Sequence, residues 1–111
     1  MSQHEDKLYI EDMKSFSNEA LELINGLSKD DLKKNRVLQL ALVKLLENIG
    51  EASTKVSSPF KEQNPNFPWA EIKGMRNRLV HGYNKINLEI VFNTCVNDLP
   101  SLLTELEKLS K

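Results

Sequence analysis

The sequence predicts an all-α protein, a four- to five-helix antiparallel bundle forming one domain over residues 1–111. Three observations predict it. Apolar residues recur every three or four positions along three long stretches, capping residues and prolines punctuate those stretches, and no segment alternates as a half-buried strand would. With 111 residues, 40% of them apolar, the chain can build one modest core but not two.

The first helix carries Tyr9, Met13, Phe16, Ala20, Leu23 and Leu27 at alternating steps of four and three, and Gly26 is placed to end it. Ser28 and Asp31 have the spacing of a capping box at the next helix start. Leu38, Leu42, Leu45, Ile49, Ala52 and Val56 form the second long stripe. Gly50 lies inside it, where glycine costs about 1 kcal/mol relative to alanine; close approach of another helix would compensate. Pro59, Pro65 and Pro68 mark an irregular connection over residues 57–67. Trp69, Ile72, Met75 and Leu79 then describe a shorter third helix, with Pro68 in its first turn. Asn87 caps the last long helix, whose stripe is Leu88, Phe92, Cys95, Leu99, Leu102, Leu106 and Leu109; Pro100 kinks it or splits it. Val37, Leu46, Val91, Val96 and Leu103 widen the stripes, as a bundle packed on several sides requires.

Composition narrows the function. The formal net charge of −1 argues against a globally basic nucleic-acid binder. One cysteine makes neither an intramolecular disulfide framework nor a cysteine zinc cluster, and Cys95 reads as a buried small hydrophobe. No stretch approaches the ~20 apolar residues of a membrane span, and the N-terminus lacks a signal-peptide apolar core. The expectation is a soluble cytoplasmic protein with no membrane partner. Glu47 and Glu51 share a helix face, but no histidine stands at metal-ligand spacing from them, so neither metal nor cofactor is expected. Their expected role is a solvated or interface one, with Lys55 an ion-pair step after Glu51.

Charge is uneven along the chain. Between Glu71 and Lys85, Lys73, Arg76, Arg78 and Lys85 oppose Glu71 alone, leaving +3 there and −4 in the remainder. Such a patch attracts phosphate without making the whole protein adhesive. It contains the string Arg76-Asn77-Arg78-Leu79-Val80-His81-Gly82-Tyr83. Histidine exchanges a proton near neutral pH, and arginine presents a permanently charged fork that fits phosphate oxygens. Neutral His81 can remove the proton of an RNA 2′-hydroxyl while Arg76 stabilises charge at the adjacent phosphorus. No metal is needed, and a 2′,3′-cyclic phosphate results. On a straight helix the two residues stand roughly 140° apart. Either the helix ends at Gly82, or a second copy faces the motif across a two-fold axis. From spacing alone, a solvated cap or ion-pair site at a basic helix end is the more common reading of such a pair.

These residues resemble the HEPN superfamily, and within it the HepT-like toxins of bacterial and archaeal toxin–antitoxin pairs. Arg76-Asn77-Arg78-Leu79-Val80-His81 is similar to the family's arginine, four residues, histidine motif, and His81-Gly82-Tyr83 extends it to the tyrosine-bearing form. Ile49-Gly50-Glu51-Ala52 resembles the second-helix signature, Pro68-Trp69 with Ile72-Lys73-Gly74-Met75 the lead-in, and Asp98-Leu99-Pro100 the C-terminal helix. The likeness runs from about Arg36 to Leu109. It implies a helical bundle that dimerises with two motifs meeting in a cleft, and a metal-independent endoribonuclease acting on RNA. His81 and Arg76 would be catalytic. Asn77 and Arg78 would bind or shape the substrate phosphate, with Lys73 of the same patch among the substrate-binding residues. It further implies a type VII toxin–antitoxin pair, in which an MntA-like nucleotidyltransferase antitoxin attaches AMP to Tyr83 (O-AMP-tyrosine) and so silences the toxin. Two other readings use the same bundle: a non-enzymatic helical adaptor or accessory subunit of a nucleotidyltransferase, and a nucleotide-binding accessory subunit whose patch holds a phosphate. No glycine-rich phosphate loop supports the second.

Overall fold

The computed structural model describes residues 3–81 and 85–109. Helix α1 spans Gln3–Ile24 and ends at Gly26, whose φ of 75° is the left-handed conformation a helix C-terminus favours in glycine. Helix α2 (Lys29–Lys33) starts with the expected capping box. The Asp31 N–H donates to Ser28 Oγ and the Ser28 N–H donates to Asp31 Oδ2, at 3.1 and 2.8 Å. Helix α3 spans Arg36–Lys55 and is capped by Asn35. Buried Gln39 reaches back from it, donating to the carbonyl of Leu32 at 2.9 Å, which ties α2 to α3.

The connection after α3 is partly helical. Ser57 caps a short helix α4 (Ser58–Gln63), with Pro59 in its first turn. Proline in that turn loses no helical hydrogen bond, which is why residues 57–67 are less irregular than their prolines suggest. Ser57 also meets α1: its N–H and Oγ–H both donate to Asp6, at 2.8 and 2.7 Å, and Asp6 is only 2% exposed. The start of α1 therefore lies beside the end of α3, and the two helices run antiparallel.

The third helix is broken into α5 (Trp69–Lys73) and α6 (Met75–Leu79) at Gly74. After Leu79 the backbone extends. Val80–His81 (β1) pairs antiparallel with Lys85–Ile86 (β2), a two-residue ladder that short-range alternation cannot announce. Helix α7 (Leu88–Asn93), capped by Asn87, leads into a π-helical turn, Thr94–Asp98, and then α8 (Leu99–Leu109). Pro100 is the physical reason. It has no N–H to give the Val96 carbonyl, and the chain widens so that the Leu99 N–H bonds Thr94 O instead.

The core gathers Ile10, Met13, Ala20 and Ile24 of α1, the full α3 stripe, Ile72, Met75 and Leu79, and Val91, Cys95, Leu99, Leu102 and Leu106. The α1 stripe is thus turned by about one residue from the expected one. Ile10, Ser17 and Ile24 are buried, Tyr9 and Phe16 are half-buried, and Leu23 and Leu27 are exposed. Ser17 is accommodated because its hydroxyl donates to Met13 O at 2.8 Å. Val37 and Val96 do not widen the core either; both face solvent. No described helix is long and apolar enough to cross a membrane.

Candidate active site

The basic string divides between two sides of α5–α6. Residues 73, 76 and 77 are three or four apart and share a face, while residue 78 is turned about 200° from residue 76. The structure follows that geometry. Lys73, Arg76 and Asn77 line a cleft of about 330 Å³ against Lys44, Glu47 and Glu51 of α3. Arg78 lines a different cleft, of about 250 Å³, with Asp98 and Glu105, and its guanidinium donates to Glu71 O at 3.3 Å. Of the substrate-binding candidates, Lys73 and Asn77 stand with Arg76, and Arg78 does not.

Close packing of backbone on backbone places the first cleft. A Cβ on Gly50 would lie 2.9 Å from the carbonyl oxygen of Ile72, so only glycine lets α5 approach α3 this closely. Gly50 is the helix contact its sequence position implied.

Arg76 points into the cleft with its side chain 62% exposed, and its Nε donates to Glu47 Oε2 at 3.2 Å. Glu47 is therefore part of the site. Periodicity assigned it to a solvated or interface face, and no local pattern announces a partner 29 residues away. Among the described residues no ion pair joins Glu51 to Lys55. Chemically, the cleft offers phosphate the fork of Arg76, the ammonium groups of Lys44 and Lys73, and the amide of Asn77. An anion arriving there competes with Glu47 for Arg76.

His81 falls past the end of α6, in β1, and its backbone pairs with Lys85. The straight-helix separation from Arg76 does not apply, because the helix stops between them. The side chain of His81, with Gly82 and Tyr83, lies outside the described residues. Among the described residues, no group of three histidine, cysteine, aspartate or glutamate side chains is placed to hold a metal ion. Cys95 is buried, and burial pushes its thiol up to about 12, as befits a packing residue.

A helical bundle with an arginine-bearing cleft at the edge of its third helical segment defines a class, and sequence comparison says which. The family model described as "Ribonuclease HepT-like" matches residues 7–109, and the chain belongs to that family. Among its relatives, "Probable ribonuclease HepT" of Thermococcus cleftensis is 36% identical over 112 residues, covering 97% of this chain and 96% of its own. "Putative RNase MJ1380" of Methanocaldococcus jannaschii is 31% identical over 107 residues, covering 96% and 98%. Comparison with solved structures gives no match.

Proposed function

We propose that this protein is a metal-independent endoribonuclease, the toxin of a type VII toxin–antitoxin pair. The observation that carries the reading is the exposed Arg76, grouped with Lys73 and Asn77 in one cleft of a chain that belongs to the HepT-like ribonuclease family. His81 acts as general base on the RNA 2′-hydroxyl. The 2′-oxygen then bonds the adjacent phosphorus, the bond to the 5′-oxygen breaks, and that oxygen takes up a proton. The products are a 2′,3′-cyclic phosphate and a 5′-hydroxyl. Arg76 stabilises the charge that builds on the phosphoryl oxygens, at an edge where it is already half-neutralised by Glu47 and free to exchange partners. Two copies form the working unit, each bringing a motif to a shared cleft. A nucleotidyltransferase antitoxin silences the toxin by placing AMP on Tyr83, where a phosphodiester charge and a purine repel and obstruct substrate.

Cleavage of RNA in EDTA tests the reading. The wild type cuts, and His81→Ala and Arg76→Ala each lose on the order of 10²–10⁴ in rate while folding normally. Full dependence on Mg²⁺, or undiminished cleavage by His81→Ala, refutes the assignment. In cells, Tyr83→Phe stays toxic beside the antitoxin, and mass spectrometry of the co-expressed wild type finds AMP on Tyr83.

A further inference from the structure

The Arg76 cleft is not the only depression along α3 among the described residues. Asn48 and Glu51 line it on one side, and the same two residues line a second depression of about 290 Å³ on the other, between α3 and α1. The second depression is walled by Tyr9, Asp12 and Phe16 of α1 and by Lys55 of α3. Tyr9 and Phe16 are seven residues apart, two helical turns, so both rings stand on the same side of α1. Both are half-buried, because the turned α1 stripe sends Ile10, Met13 and Ser17 into the core and leaves these rings at its margin.

The two depressions, with Asn48 and Glu51 between them, form a motif end and an α1 end that differ in chemistry. At the motif end Lys44, Lys73 and Arg76 outnumber Glu47 and Glu51, which leaves a net positive charge suited to a phosphate. The α1 end sets two aromatic rings beside the carboxylates of Asp12 and Glu51, which outnumber the ammonium of Lys55, and the amide of Asn48. Carboxylates repel phosphate but accept hydrogen bonds from the imino and amino groups of a base. Among the described residues neither the Asn48 amide nor the Glu51 carboxylate is committed to another hydrogen bond or ion pair. Phosphate at one end and an unstacked base at the other is the order in which a single strand presents its parts.

We infer that Tyr9 and Phe16 form a stacking platform for a nucleobase flanking the phosphate held at Arg76, with Asn48 and Glu51 meeting the edge of that base. The occupant is a single-stranded RNA segment, and the inference rests on the RNA-cleaving reading above. The two depressions give the enzyme a grip on bases beside the cleaved bond that duplex RNA, with its bases paired and stacked, cannot supply.

Fluorescence anisotropy with a 2′-O-methyl single-stranded oligonucleotide, which cannot be cut, tests the platform apart from catalysis. Tyr9→Leu keeps an apolar side chain against α3 and removes the ring; its affinity falls roughly 5- to 100-fold, while Tyr9→Phe restores it. The salt dependence separates stacking from charge: Tyr9→Leu leaves its slope unchanged, and Lys73→Ala makes it shallower by about one. Unchanged urea-unfolding midpoints show that the variants are folded. Equal affinity of Tyr9→Leu and wild type overturns the platform, as does a wild type that does not bind the single strand. Cleavage of the 2′-hydroxyl oligonucleotide is read separately. Cutting without a Tyr9 effect leaves the nuclease standing and removes the platform. A Tyr9 effect without cutting keeps the platform and removes the nuclease.

Discussion

Gly50 and Ile72 meet at a single contact that sets where the basic cleft stands. In an open helix, alanine in place of glycine gains about 1 kcal/mol. Here the added Cβ meets a carbonyl oxygen at 2.9 Å, and that oxygen belongs to helix backbone, which yields less readily than a flexible side chain. Overpacking of this kind costs about 1–3 kcal/mol. Gly50→Ala is therefore expected to lose up to about 2 kcal/mol net, read as a lower urea-unfolding midpoint, and to weaken RNA cleavage because α5 shifts. A gain in stability would mean that α5 moves aside freely and that the close approach sets nothing. At the same scale, Arg76 and Arg78 look interchangeable in the sequence and are not. Their clefts differ, and of the two only Arg76 has a carboxylate partner among the described residues for substrate phosphate to displace.

Two exposed carboxylates, Asp31 of α2 and Glu89 of α7, sit in the first turns of their helices. The Ser28 backbone N–H, and then its side chain, hydrogen-bond Asp31 and hold that carboxyl below its usual range. The Lys29 ammonium, 2.8 Å away, holds Glu89 of α7 down in the same way. A carboxyl depressed in the folded state stabilises fully above its unfolded pKa, and that contribution is lost as pH falls through the folded value. Both carboxylates are exposed, so solvent screening keeps each contribution small. The stability difference between wild type and Asp31→Ala should stay constant from about pH 7 to 5 and close below about pH 4. Urea unfolding at several pH values measures it, and a gap that widens on acidification contradicts the capping account. Ser28→Ala, which removes the other half of the box, costs about 1 kcal/mol at neutral pH.

At the scale of the molecule, one apolar face of α3 stays exposed among the described residues. Val37 is 77% exposed and Leu40 49%, and both precede Lys44 and the Arg76 cleft along the same helix face. Apolar residues in the open beside a site invite a second surface, and a two-fold contact through the N-terminal half of α3 would set two clefts side by side. It would leave the aromatic depression, at the C-terminal half of α3, open to a strand. Light scattering at micromolar concentration is expected to find a dimer, and Leu40→Glu to shift it toward monomer with the fold intact. A strict monomer of the wild type contradicts the paired arrangement.

Local rules determined much of this protein. The α3 stripe, the Ser28–Asp31 box, the Asn87 cap, the end of α1 at Gly26, burial of Cys95 and the break near Pro100 all follow from interactions within a few residues. So does the grouping of Lys73, Arg76 and Asn77, which three- and four-residue spacing puts on one face. The HepT-like resemblance, carried by the Arg76–His81 string and the Gly50 segment, was equally legible and is the family to which the chain belongs. Tertiary structure decided the rest, because each remaining feature depends on what lies opposite. Which α1 residues are core was settled by how α1 packs on α3 and α8, which buries Ile10 and Ser17, against a periodicity that fits two neighbouring faces almost equally well. The Glu47–Arg76 pair joins residues 29 apart, a separation no periodic pattern encodes. The extended chain at Val80–His81 arises because its hydrogen bonds go to Lys85–Ile86, and a two-residue ladder has too few side chains to leave a mark in sequence. The depressions on either side of Asn48 and Glu51 exist only once α1 and α5–α6 pack against α3, since their walls come from three separate segments of the chain.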